Sequence, residues 1–211
     1  MKIAIYVYEG ITALDAIGPY ESLSRLPELE LLFVGKSKGL VRTGNNMLGI
    51  YADYDTQSVA EADILIIPGG STQSIQNMVA DVDLLKWIKR VDAKTKWTCS
   101  VCTGTLVLGA AGLVEGLNVA THWRAKDCVP MCGARYTGKR IEIHDKYITS
   151  AGVSAGIDMG LYLCSEIAGQ EIAEAVQLSM EYDPKPPFKL GSAEVAATPA
   201  RVQLIDDLNI P

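Results

Sequence analysis

The stretch "KWTCSVCTGTLVLGAAGL" (Lys96–Leu113) changes character in its middle. Lys96–Val101 is short, largely apolar and partly β-branched, and reads as a buried strand. Thr103–Leu113 is a run of small and aliphatic residues that reads as a helix. Cys102 stands at the junction. A strand that runs straight into a helix is half of a βαβ unit, and the rest of the chain repeats the theme. Lys2–Tyr8, Leu29–Gly35 and Ala62–Gly70 read as strands, with two short ones in Ile141–Ser150. Leu14–Leu26, Val82–Lys94, Trp123–Cys132, Val153–Ala168 and Gln170–Tyr182 read as helices. Leu40–Asp53 is weakly strand-like, and the chain from Asp183 on is rich in Pro and Ala and reads as irregular. Strands alternating with helices imply an α/β, doubly wound, mostly parallel sheet with helices on both faces.

No linker or repeat divides the chain before its tail, so residues 1–192 are expected to form one domain and 193–211 a C-terminal tail. A chain of 211 residues with 48% hydrophobic content is long enough to bury roughly 70% of its extended surface without metal or disulfide support. The net charge of -6, with no cluster of Lys and Arg, argues against nucleic acid as a partner. No run of about 18 apolar residues suggests a membrane span. "MKIAIYVYEG" alternates like a strand rather than a signal segment. Five cysteines without a secretion signal read as reduced thiols in the cytoplasm.

Ligand sites in parallel sheets lie beyond the carboxyl ends of the strands. That rule selects three turns: Glu9–Asp15, Pro68–Gly70 and Cys102–Gly104. Cys102 faces the start of a helix, where free N–H groups and the helix dipole favour an anion. This position predicts a lowered thiol pKa and a thiolate nucleophile. A small buried apolar residue is the plain alternative. The glycines of "IPGG" (Ile67–Gly70) allow a backbone N–H to approach a reacting centre, or simply make a tight turn. Asp15, set among apolar residues in "LDAIGPYE", is either a proton-exchanging acid with disfavoured charge or a helix N-cap. Glu21, further along the same segment, reads chiefly as a solvated or ion-paired residue.

Cys99 lies inside the strand, which sets it apart from a redox Cys-x-x-Cys. Cys99, Cys102, Cys128 and Cys132 resemble a four-thiolate spacing, but strand and helix positions divide them, so no metal is expected. His122 reads as a structural hydrogen-bonding residue, and His144 has no evident partner. Thr103, not histidine, follows Cys102.

Taken in order, "IPGG", "SVCTGTLVLGAAGL", "THW" and "TSAGVSAGID" resemble the DJ-1/PfpI superfamily. "LDAIGPYESLSRLP", "CTG" and "EYDPKPPF" are most similar to its isonitrile hydratase branch. The resemblance implies a flavodoxin-like fold and a homodimer acting on a small-molecule substrate. It further implies a lyase (hydro-lyase) with no cofactor, a nucleophile at Cys102, an adjacent Thr103 and an acidic partner at Asp15. Gly70 matches the glycine whose backbone N–H borders the site, and Ala151 and Gly152, with Glu21, become candidate flanking residues. Ser150-Ala151-Gly152 stands where the branch often has a glycine triplet, and Cys-Thr replaces the Cys-His of protease-like and glyoxalase-like relatives. The expected reaction is hydration of isonitriles to N-substituted formamides through a thioimidate. The alternatives are a redox or stress-responsive thiol protein, a glyoxalase or deglycase, and a ligand-sensing domain related to AraC-type regulators, though without their helix-turn-helix module.

Overall fold

The computed structural model of the protein describes residues 1–208. In chain order the elements begin with strand β1 (Lys2–Tyr6), helix α1 (Ala13–Leu23) and strands β2 (Glu30–Gly35), β3 (Gly39–Arg42), β4 (Gly49–Ala52), β5 (Tyr54–Asp55) and β6 (Ile64–Ile67). Helices α2 (Thr72–Ala80) and α3 (Val82–Asp92) lead to β7 (Trp97–Val101), α4 (Gly104–Ala110) and β8 (Asn118–Val119). A 3-10 helix (Trp123–Cys132) follows, then β9 (Arg135–Tyr136) and the hairpin β10 (Ile141–His144) with β11 (Tyr147–Ser150). Helices α5 (Ala155–Ala168), α6 (Gln170–Ser179), α7 (Ala193–Ala196) and α8 (Pro199–Asp207) end the described chain.

Seven strands form one sheet in the order β10-β11-β7-β6-β1-β2-β5. Every pairing in it is parallel except β10 with β11. This is the α/β flavodoxin-like arrangement. The central strands β6 and β7 are buried along their whole length, because a strand covered by helices on both faces has no polar side to show. β2 lies on one side of β1 and β6 on the other. The strand order therefore reverses beside β1, and the crevice at that switch point is where open α/β sheets bind ligands.

Helix α1 packs against α5, and α5 against α6; α2, α3 and α4 pack on one another. Small residues let α1 and α5 approach closely. A Cβ on Gly160 would lie 2.8 Å from Ser22 Cβ, and one on Gly156 would lie 3.1 Å from Pro19 Cδ. Gly104, the first residue of α4, is tighter still: a Cβ there would stand 2.0 Å from the Ile67 carbonyl oxygen of β6. Backbone cannot yield as a flexible side chain does, so Gly104→Ala is expected to lower unfolding free energy by at least about 2 kcal/mol. Urea titration measures this; a loss below about 0.5 kcal/mol would show that α4 can simply tilt away.

Three readings of the sequence change. Thr72–Ala80 is a helix that the sequence pattern did not suggest; the Ser71 hydroxyl caps it by accepting from the Ser74 N–H. Trp123–Cys132 is a 3-10 helix rather than an α-helix, with Pro130 inside it. The tail is not wholly irregular, because α7 and α8 form in it, with the Thr198 hydroxyl capping α8. No helix of the described residues is long and apolar enough to cross a membrane.

Candidate active site

The three turns selected by strand position meet at one place. Cys102 occupies the turn between β7 and α4 with φ of +58°. A non-glycine residue there costs about 1–3 kcal/mol and persists only where its surroundings overdetermine it. They do so here. The Cys102 N–H is shared between the carbonyls of Ser150 (3.1 Å) and Ala151 (3.2 Å). Its carbonyl accepts from the hydroxyls of Thr121 (2.8 Å) and Thr105 (3.4 Å). The sharp turn lifts the thiol out of the strand direction, the geometry of a nucleophile elbow.

Asp15 lies in the first turn of α1, fully buried. It is not a cap: the N-cap residue is Thr12, and the Asp15 carboxylate reaches out of the helix instead. Its Oδ2 accepts the Gly69 N–H at 2.9 Å, while Oδ1 has no hydrogen-bond partner among the described residues. Gly69 sits where three groups converge. A Cβ on it would come within 2.6 Å of Thr103 N and Oγ1 and 2.8 Å of Asp15 Oδ2. The double glycine is thus required by close approach. The second glycine donates its N–H to the Thr103 hydroxyl (3.1 Å). Gly70 and Thr103 therefore hold each other, and the Gly70 N–H is already engaged in the resting site.

The electrostatics reverse one expectation. Burial pushes the Asp15 carboxyl up to about 7, against the opposing pull of the Gly69 N–H and the Cys102 thiol. Burial, and then the Asp15 charge, push the Cys102 thiol up to about 12, against the N–H groups of Thr103 and Val153 and the Thr103 hydroxyl. The helix start was expected to lower this thiol. It is outweighed because the site is dry and an acidic group shares it. The resting site therefore holds a thiol beside a carboxyl that titrates near neutrality. A redox role through an exposed, low-pKa thiol is disfavoured on both counts, since Cys102 is only 5% exposed.

Other residues take their places around this centre. Ala151 bonds directly to Cys102, as given above. Gly152 lies against the His122 ring, with 2.2 Å between a would-be Cβ and His122 Cδ2. His122 accepts the Arg124 N–H on Nδ1 (3.4 Å) at the start of the 3-10 helix, and burial lowers its pKa, so it serves as a neutral structural group. Glu21 is further along α1, partly exposed and ion-paired with Arg25 at 2.9 Å. His144 is at the surface with Asp145 at 3.4 Å. Cys99 is fully buried within β7, and Cys128 is exposed. Among the described residues no three His, Cys, Asp or Glu side chains gather as a metal site would require.

Sequence reasoning missed three contributors. Gly69 holds the acid. Tyr8 donates from its hydroxyl to the Pro68 carbonyl (3.0 Å), and burial followed by the charges of Asp15 and Cys102 keeps it un-ionised. The Val153 backbone, with φ of +35°, lies close enough to the Cys102 thiol for its N–H to favour the charged form. Gly69 was within reach, as half of a glycine pair already singled out; nothing local marks Tyr8 or Val153.

Comparison with known proteins agrees with this architecture. The model of the DJ-1/PfpI family matches residues 1–166. Isonitrile hydratase of Pseudomonas putida is 34% identical over 196 residues, which are 93% of this chain and 85% of that one. The crystal structure of a THiJ/PfpI family protein from Pseudomonas syringae superposes with a TM-score of 0.91 at 34% identity, covering 98% of this chain and 86% of the other. The glutathione-independent glyoxalase DJ-1 of Schizosaccharomyces pombe is more distant, 23% identical over 192 residues, covering 85% of this chain and 98% of its own. With the fold, the strained cysteine turn and these matches in agreement, the chain belongs to the DJ-1/PfpI family.

Proposed function

We propose that the protein is a lyase that hydrates isonitriles, R–N≡C, to N-substituted formamides, with Cys102 as nucleophile and Asp15 as proton carrier. The observation that carries this reading is the buried Asp15 carboxyl, titrating near 7, beside a thiol that must lose its proton to react. A proton carrier works best when its pKa lies near the operating pH. Threonine in place of histidine after Cys102 leaves Asp15 as the acid–base group at hand.

The chemistry balances without any group from outside the chain except water. As Sγ bonds to the terminal isonitrile carbon, the thiol proton passes to the Asp15 carboxylate. Asp15 then returns that proton to the same carbon, giving the thioimidate R–N=CH–S–Cys102. Water adds to the thioimidate carbon, oriented by Asp15 and Thr103, and its proton reaches nitrogen through Asp15. The C–S bond then breaks, the hydroxyl becomes a carbonyl with loss of its proton, and the thiol is re-formed. The product is R–NH–CHO. Similarity to the P. putida isonitrile hydratase over nearly the whole chain supports the substrate class. On the same reading the protein acts as a cytoplasmic homodimer, a state that light scattering at micromolar concentration tests.

The productive state has one proton shared by Cys102 and Asp15. Below about 7 the pair holds two protons, so no base is available to the thiol. kcat/KM is therefore expected to rise as pH increases through about 7 and then level off. A profile that falls between pH 6 and 8 would contradict Asp15 as the base. The reaction class is tested by pairing formamide formation from cyclohexyl isonitrile with lactate formation from methylglyoxal. Formamide is expected to form with kcat/KM at least about 100-fold higher; the reverse ranking would favour a glyoxalase.

A further inference from the structure

The Pro68–Gly69 peptide carries a hydrogen bond at each end. Its carbonyl accepts from the Tyr8 hydroxyl at 3.0 Å, and its N–H donates to Asp15 Oδ2 at 2.9 Å. The two bonds form one chain, from the Tyr8 O–H through the peptide to the Asp15 carboxyl. A peptide unit is planar, and in its trans form the C=O and N–H point in opposite directions. Holding the carbonyl therefore aims the N–H. Glycine gives the unit no Cβ to favour one face, so the Tyr8 bond opposes a flip that would set the Pro68 oxygen against the carboxylate. The bonds also polarise each other, and a donor on the carbonyl makes the N–H at the far end a stronger donor.

The Tyr8 ring is fixed from behind. It stacks on Tyr6 with centroids 5.8 Å apart, and Tyr6 packs on Trp87, whose Nε1 donates to the Val59 carbonyl (2.7 Å). Its hydroxyl lies over the glycine pair, where a Cβ on Gly70 would stand 2.9 Å from it. Burial keeps the phenol protonated. Its single proton goes to Pro68, leaving none for Asp15 or Cys102, so its hydrogen bonding reaches the acid only through the peptide. The ionisable groups beside Asp15 are Tyr8 after β1 and Cys102 after β7. On α1 itself Glu21 is taken up by Arg25, and on α5, packed against α1, Asp158 is taken up by Arg140. Of the groups that draw the Asp15 carboxyl toward its charged form, the Gly69 N–H outweighs the Cys102 thiol. Resting on the reading of Asp15 as proton carrier, we propose that Tyr8 is a positioning residue for the acid: through the Pro68–Gly69 peptide its hydroxyl aims the Gly69 N–H at Asp15 and strengthens it as a donor.

The test uses the full chain and Tyr8→Phe, which keeps the stacked ring and removes the hydroxyl. The Asp15 carboxyl is titrated by carbon NMR of aspartate labelled at Cγ, its signal assigned by its loss in Asp15→Asn. In Tyr8→Phe its midpoint is expected to rise by at least about 0.5 in pH, roughly a 3-fold change in proton affinity. The pH profile should follow: relative to wild type, kcat/KM is expected to fall at least about 3-fold more at pH 6 than at pH 9. A merely structural hydroxyl would lower resistance to denaturant and move neither. A carboxyl midpoint within about 0.2 of wild type in folded Tyr8→Phe overturns the proposal. So does an equal shift in Tyr6→Phe, which would trace the effect to the stack. 3-Fluorotyrosine placed at position 8 is a more acidic phenol and a stronger donor, and it is expected to lower the Asp15 midpoint. An unmoved or raised midpoint there overturns the relay, and this arm decides alone where Tyr8→Phe does not fold. Should no isonitrile yield formamide, the hydratase reading fails, while the carboxyl titration still decides the part played by Tyr8.

Discussion

Cys102→Ala is expected to lower formamide formation by at least about 10⁴-fold, since removing a nucleophile that works as a unit with its acid–base partner removes nearly all chemical catalysis. The substitution should leave the fold in place. Cys102 is buried, and loss of one sulfur from its site costs about 1 kcal/mol. The alanine inherits the same left-handed backbone, still tied to Ser150, Ala151, Thr121 and Thr105. Product is measured by proton NMR of the formyl group, and intact mass gives a second reading. When turnover at pH 8 is stopped by rapid acid quench, the wild type is expected to carry the added mass of one isonitrile, and the alanine variant none. Retention of more than a tenth of wild-type activity by Cys102→Ala would mean that the reaction does not run through this sulfur.

Asp15→Asn separates activity from stability. The change removes the proton carrier, and kcat/KM is expected to fall on the order of 10²–10⁴-fold. Stability at pH 8.5 should move the other way. The folded-state pKa of Asp15, about 7, lies above its ordinary value of 3.8. Folding therefore favours the protonated form. The contribution of this group to stability is full below about 3.8 and is lost progressively as pH rises through about 7. Above that, keeping the carboxylate buried costs up to about 4 kcal/mol. Asparagine carries no charge and its oxygen can still accept the Gly69 N–H, but its NH2 would meet the unpartnered Oδ1 position. The net gain at pH 8.5 is expected to be roughly 1–3 kcal/mol, shrinking toward zero or reversing near pH 4. Chemical denaturation of both proteins at the two pH values checks it. Equal stability at pH 8.5 would show that Asp15 is not under strain from its burial.

Local pattern made much of this legible. Apolar runs such as Ile64–Ile67 and Trp97–Val101 mark central strands because burial on both faces leaves no room for a polar residue. Once those strands are placed, the end rule for parallel sheets names Asp15, Gly70 and Cys102 before any contact is known. The resemblance carried by "IPGG" and "SVCTGTLVLGAAGL" points to the same residues. Less was legible where structure depends on distant partners. Thr72–Ala80 is a polar surface helix with two buried residues, Ile75 and Met78, too few for a clear period. The tail helices form in a Pro- and Ala-rich segment, where Arg124, more than 80 residues earlier, supplies a partner for Asp206.

By itself the sequence determined the α/β sheet and the turns at the ends of its central strands, because each rests on short-range patterns, and it singled out Cys102 and Asp15, the residues proposed here as nucleophile and acid. Tertiary structure alone decided the chemistry of the pair. A helix start argues for a thiolate at Cys102, yet the folded site is dry and places Asp15 beside it, and desolvation with a like charge outweighs a few N–H dipoles. It also decided which N–H groups are engaged, giving Gly69 to Asp15 and Gly70 to Thr103. Those are distances between groups 33 and 54 residues apart, and no local pattern contains them.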